Sequence, residues 1–165
     1  MHRLAMLTED IIEILRDELE QLRQRIIANM GAADQIVTGK TRDSLQVAVA
    51  PQAEGAYGVL TGRFAFAALE RGTRPWVRKP GRVPRFFADL IGEWIAARSL
   101  EGKLNKWAVA HTLIHKGSSL YRKGGRSDIY TPEIARTMEN LGDRIIERYS
   151  VLVSDRLNFN TTITL

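Results

Sequence analysis

Leu45-Gln46-Val47-Ala48-Val49-Ala50-Pro51-Gln52-Ala53-Glu54-Gly55-Ala56-Tyr57-Gly58-Val59-Leu60 is the stretch on which the fold turns. Leu45, Val47 and Val49 alternate with Gln46 and Ala48, which is the period of a half-buried strand. Residues 51–55 carry Pro and Gly and read as a turn, so 56–60 is the return strand of a hairpin. Nearly everywhere else the apolar pattern is helical. The sum is an α+β chain, a small antiparallel sheet packed by a long N-terminal helix and further helices.

Upstream of the hairpin, Ile11, Leu15, Leu19, Leu22 and Ile26 recur at helical spacing and predict a helix over 9–30. Thr8 is placed to cap it, Glu9 and Asp10 suit its first turn, and Gly31 is its expected stop. Glu13, Asp17, Glu20 and Arg23 form its solvated face. Downstream, 64–71 reads as a short helix ended by Gly72. Residues 73–83, with Pro75, Pro80 and Gly81, exclude regular structure and form an exposed basic loop. Pro84 then opens a helix over 84–99, with Phe86, Phe87, Leu90, Ile91, Trp94 and Ile95 as an apolar stripe. A neighbouring helix over 103–116 carries Trp107, Val109, Ala110, Leu113 and Ile114 and stops at Gly117. Residues 117–130 form a second exposed basic loop. Thr131-Pro132 starts a helix running to about residue 157, with Met138, Leu141, Ile145, Tyr149 and Leu152 as its buried face. Residues 158–165 are a C-terminal tail or strand.

With 165 residues, 44% hydrophobic and 26% charged, the expectation is a single domain over 1–165. The absence of cysteine excludes disulfides, thiolate zinc sites and a cysteine nucleophile. No apolar run approaches the roughly 18–20 residues of a membrane span. The N-terminal apolar stretch is too short for a signal peptide, so a soluble chain that is not exported is expected. The formal charge of +5 is modest, and its distribution says more than its size.

Three segments taken in order resemble a known family. They are Thr38-Gly39-Lys40-Thr41-Arg42-Asp43-Ser44-Leu45, then Phe66-Ala67-Ala68-Leu69-Glu70-Arg71-Gly72-Thr73-Arg74-Pro75, then Ala108-Val109-Ala110-His111 running to Lys116-Gly117. With Trp94 between them, they are similar to the small tail-component family of lambda-like long-tailed bacteriophages, the neck, head–tail joining or tail-completion proteins. The resemblance covers roughly residues 37–117. Phe66 departs from it, since the family often has Tyr there, and so does the Gly-rich basic loop near 122–126. What the resemblance implies is a virion role and an oligomeric ring. The neighbours it implies are head-closure and tail-tube or tail-terminator proteins, the location the neck or tail of a virion, built in the host bacterial cytoplasm. It implies no catalytic residue.

The residues themselves offer little chemistry. Thr38-Gly39-Lys40-Thr41 lacks the first glycine of a phosphate loop, because Asp34 stands there, and it follows a helix instead of a strand. Its plain reading is a turn feeding a strand, with Thr41 or Ser44 bonding local backbone. His111 and His115 share a helix face, but Thr112 stands where a metalloprotease has Glu, and no third ligand is near. Glu70 has no matching second acid and is expected to pair with a local Arg or with backbone in the turn that follows. No enzyme, cofactor or metal is expected.

What stands out is charge. Between residues 63 and 85 seven cations face one acid, a local balance of +6, with Trp76 among them. Extended, 73–83 can reach roughly 35 Å at about 3.3 Å per residue. Lys116, Arg122, Lys123 and Arg126 make a second cluster. The candidate interface or DNA-channel residues are Arg74, Trp76, Arg78, Lys79, Arg82, Arg85, Arg122, Lys123 and Arg126. Three readings stay open: contact with DNA phosphates, docking on an acidic face of a neighbouring subunit such as the first helix, or a solvated loop. The leading expectation is a non-enzymatic ring protein joining phage head and tail. The alternative is a stand-alone nucleic-acid-binding module using the basic loops.

Overall fold

The computed structural model describes residues 2–53, 55–76 and 82–159. Their order is α1 (His2–Ala32), β1 (Gln46–Gln52), β2 (Gly55–Thr61), a 3-10 turn (Phe64–Ala67), α2 (Ala68–Arg71), α3 (Arg85–Ala97), α4 (Lys106–Lys116), α5 (Ser119–Arg122) and α6 (Thr131–Phe159). The fold is α+β, with one antiparallel two-stranded sheet among the described residues. The chain divides into two compact units, each gathered from separated stretches. The first unit takes residues 1–25, 46–61 and 132–165, and the second takes 26–45 and 62–131.

In the first unit, β1 and β2 pair from Gln46↔Thr61 to Gln52↔Gly55. Val47 and Val49 are partly covered while Gln46, Ala48 and Ala50 are exposed, as the alternation requires. The hairpin lies on α1. A side chain at Gly58 would come within 2.6 Å of Leu19 and 2.8 Å of Leu15, so the glycine permits the contact. Arg144 of α6 reaches Asp17 at 2.6 Å and Glu18 at 2.8 Å on α1, and Arg148 bonds Asp10. Arg25 donates to the buried Thr137 hydroxyl at 2.7 Å. The two long helices are therefore fastened by arginine–acid pairs.

In the second unit, Ile26, Met30, Leu45, Ala88, Ile95, Ala110, Ile114 and Ile129 are buried. α3 and α4 pack against each other, and fully buried alanines at 88 and 110 favour a close approach. α1 and α3 end alike. Asp34 and Ser99 adopt positive φ, and the amides that follow reach back five residues, Gln35 to Met30 and Leu100 to Ile95. The Arg98 guanidinium bonds both the carboxylate and the carbonyl of Asp34, placing a cation where two helix C-termini leave partial negative charge.

Several expectations need correction. α1 starts at His2, not at Thr8, because residues 2–8 contain neither Gly nor Pro to halt it. It also runs through Gly31 and ends at Ala32, with Asp34 at positive φ in the turn beyond it. α3 begins after Pro84 and not with it, since Pro84 holds extended backbone as the cap residue. α4 begins at Lys106, because the Asn105 side chain accepts from the amides of Trp107 and Ala108. The loop over 117–130 contains α5 and buries Ile129. Phe159 belongs to α6, and the expected terminal strand over 160–165 lies outside the described residues. The stops at Gly72 and Gly117 hold, both at positive φ.

Candidate assembly surfaces

The second motif segment carries one buried carboxylate. Glu70, 3% exposed, lies in the single turn of α2. Its Oε1 accepts from the amides of Ile129, Tyr130 and Thr131 at 2.7–3.0 Å, and Thr131 donates its hydroxyl to Oε2 at 2.5 Å. Glu70 thus serves the start of α6 from sixty residues away, in neither of the expected pairings. Burial pushes its pKa up, but the Thr131 hydroxyl and the three amides outweigh that and hold it below the ordinary glutamate value. Around it, Thr73 donates its amide to the Ser118 hydroxyl and accepts the Ser118 amide, each at 2.9 Å. Gly72 and Gly117 have no room for a β-carbon against Tyr121 and Thr73. Phe66 packs on Tyr130 with ring centroids 4.9 Å apart. This node holds the fold together, and its carboxylate is fully engaged.

The other chemical candidates resolve simply. Thr38–Thr41 is a turn in which Gly39 takes positive φ, Ser44 donates its hydroxyl to the Thr41 carbonyl at 2.7 Å, and Lys40 pairs with Glu93 at 2.9 Å. His111 and His115 stack with centroids 4.1 Å apart. Among the described residues no three acids or histidines cluster as a metal site would, and no helix is long and apolar enough to cross a membrane.

The cations fare differently from one another. Arg74, Arg82, Arg122 and Lys123 are exposed and make no ion pair among the described residues. Arg126 is taken by Asp128 at 2.5 Å, an acid just beyond the expected cluster. Arg85 sits in the first turn of α3, where a cation opposes the helix dipole, and only approaches Asp89 at 3.9 Å. Arg78 and Lys79 lie outside the described residues. Trp76 is tied down: its amide donates to the Ile114 carbonyl at 2.8 Å, and its ring lies 4.7 Å from Phe87 and 6.3 Å from Phe86. It is still 38% exposed.

Apolar side chains stand at the surface on both α3 and α6; of the expected buried face of α6, Leu141 and Ile145 are partly covered while Met138 and Tyr149 are exposed. On α3, Phe86 is 61% exposed, and Leu90 and Trp94 follow it at intervals of four. Leu90 and Trp94 also line a cleft of about 260 Å³ with Lys40, Arg42 and Arg63. On α6, Ile134, Met138, Ile146 and Tyr149 are exposed, Met138 by 64%. At about 100° per residue the α6 side chains fall on adjoining arcs, with Glu139, Asp143 and Glu147 as the next row around the helix. Periodicity identified apolar faces correctly but could not say which the rest of the chain would cover.

Charge divides with the units. The first holds eight basic and twelve acidic residues, a net −4, and the second holds sixteen and seven, a net +9. The acids of α1, offered by the sequence as a dock for the basic loops, are largely spent on Arg23, Arg144 and Arg148. Compared with protein-family models, with curated proteins and with solved structures, the chain matches none.

Proposed function

We propose that this chain is a structural component of a tailed-phage or prophage virion, a neck or tail-completion protein that joins head and tail as part of an oligomeric ring. The resemblance of residues 37–117 to that family suggests the role. The observation that carries it is the α3 row of Phe86, Leu90 and Trp94, exposed beside Trp76 and, at the cleft, Arg63. Contiguous apolar surface rimmed by charge marks a contact site for protein more often than a site for chemistry. The buried acid that could have done chemistry is committed to the start of α6. On this reading the protein works through its exterior, in the virion neck or tail, after assembly in the bacterial cytoplasm. Its neighbours are a head-closure protein and a tail-tube or tail-terminator protein.

The test is genetic and structural together. Loss of the gene should leave filled heads and finished tails unjoined, and antibody should find the chain in purified particles. Normal particles without the chain would refute the role.

A second reading has one observation in its favour, the unpaired exposed pair Arg122 and Lys123. As a nucleic-acid-binding module the protein would bind duplex DNA with an affinity falling steeply as salt rises. A titration at two salt concentrations separates the readings, since a ring component whose cations contact protein would show little affinity for free duplex.

A further inference from the structure

We infer that copies of this chain associate head to tail, the outer face of α6 on one copy docking against the α3 row and its adjoining cleft on the next. The inference rests on the ring reading and adds the surfaces that meet.

A unit of net −4 and a unit of net +9 occur in the same chain. Two copies meeting through the same basic surface, or through the same acidic one, would oppose like charges. Meeting through unlike surfaces joins opposite charges. Such a contact is heterologous, so every copy keeps one free face of each kind and the chain of contacts can close into a ring.

Ile134, Met138 and Tyr149 fall on one stripe of α6, which spans roughly 22 Å at 1.5 Å per residue. Beside it run Glu139, Asp143 and Glu147, exposed and in no ion pair among the described residues. The opposing surface has the complementary set: Phe86, Leu90 and Trp94, continuing into a cleft lined by Arg63, which makes no ion pair among the described residues, and by Lys40, which is paired there with Glu93. An amphipathic helix laid in an apolar groove with opposite charge on its rim is a recurring mode of recognition.

Gly142 lies inside α6 on the arc between the apolar and acidic rows, and nothing in its own chain comes within 4 Å of where a β-carbon would stand. A glycine in a helix interior is unfavourable relative to alanine. Its negative φ is ordinary and no neighbour in the chain needs the space, whereas a partner surface approaching closely does.

The absence of cysteine makes the test direct. Two single-cysteine variants are prepared, Met138→Cys on the α6 face and Leu90→Cys on the α3 face, both at exposed positions. A short bismaleimide is added to each variant alone and to their mixture, at low and high salt. The expected result is a crosslinked dimer from the mixture, strong at low salt, and little from either variant alone. In parallel, Glu139→Lys/Asp143→Lys/Glu147→Lys should weaken self-association of the unmodified chain by at least about tenfold at low salt, with unchanged circular dichroism. A dimer from Met138→Cys alone would reveal a two-fold contact and overturn the inference. So would a wild-type chain that stays monomeric at every concentration, or a crosslink yield in the mixture no higher than in the single variants. None of these outcomes touches the virion role, which detection of the chain in particles decides separately.

Discussion

The two units handle charge in opposite ways. In the first, a buried acid is met by a cation: Glu18, 3% exposed, pairs with Arg144. The neighbouring acids of α1 take up Arg23 and Arg148 in the same manner. In the second, the buried acid Glu70 is met by backbone amides and a hydroxyl, with no cation spent on it. The difference sets what reaches the surface. Arg25, Arg144 and Arg148 of the first unit fasten α6 to α1, while Glu139, Asp143 and Glu147 of α6 make no ion pair among the described residues. Arg63, Arg74, Arg82, Arg122 and Lys123 of the second unit remain without an acid among the described residues. A helix start served by Glu70 thus helps to leave a unit strongly positive.

The sharpest way to break this contrast is at Glu70. Glu70→Ala leaves three amides near the α6 start without their acceptor and should cost about 3 kcal/mol or more, read as a lower denaturant midpoint. Gly72→Ala belongs with it, because the residue sits at φ 71° against Tyr121 and Ser118. It should destabilise by a similar margin, about 2–4 kcal/mol. Arg144→Ala comes next. It strands Glu18 with no cation and should cost about 2–4 kcal/mol, in part restored by Glu18→Gln in the same chain.

Acid sharpens the comparison further. The Glu70 carboxyl titrates below its ordinary value of 4.5 in the folded chain, after four hydrogen bonds overcome the burial that would raise it. Its contribution is therefore complete above about pH 4.5 and is lost as pH falls through the lower folded value. Asp17 follows the same sign, lowered by the hydrogen bonds from Arg144 and Gln21. Glu70→Gln should be less stable at neutral pH and show a shallower loss of melting temperature on acidification. An acid limb as steep as that of the wild type would remove Glu70 from this role.

The smallest effects belong to the surface. Gly142→Ala should raise stability of the free chain by about 0.5–1 kcal/mol, since helix propensity improves and nothing obstructs the methyl group. Arg122→Glu/Lys123→Glu should leave the denaturation midpoint unchanged, and any loss of particle assembly or duplex binding in that variant would locate the use of those charges.

Much of the fold was legible from local pattern. The Leu45–Val47–Val49 alternation gave β1, and the glycines at 72 and 117 marked helix ends that only a residue free of a β-carbon could close. The candidate surface was harder to read. Phe86, Leu90, Met138 and Tyr149 are apolar at helical spacing, and spacing identifies a face without identifying its cover. Glu70 was conspicuous as the single acid among seven cations, yet its partners lie sixty residues away and no local rule could name them. The extension of α1 through Gly31 to Ala32 was hidden for a related reason. Gly31 is tolerated inside a helix, and the closing turn depends on a positive-φ Asp and on Arg98 from α3.

The central claim is that the protein acts by fitting unlike faces of successive copies together. It is tested most directly by exchanging the charges of both faces in one chain, Glu139, Asp143 and Glu147 to Lys with Arg63, Arg74 and Arg82 to Glu, and measuring its sedimentation beside the two half-exchanged chains. Recovery of assembly in the fully exchanged protein, with both half-exchanged proteins sedimenting as monomers, is the expected result. A fully exchanged protein as dispersed as its halves, or halves that assemble like the wild type, would contradict it.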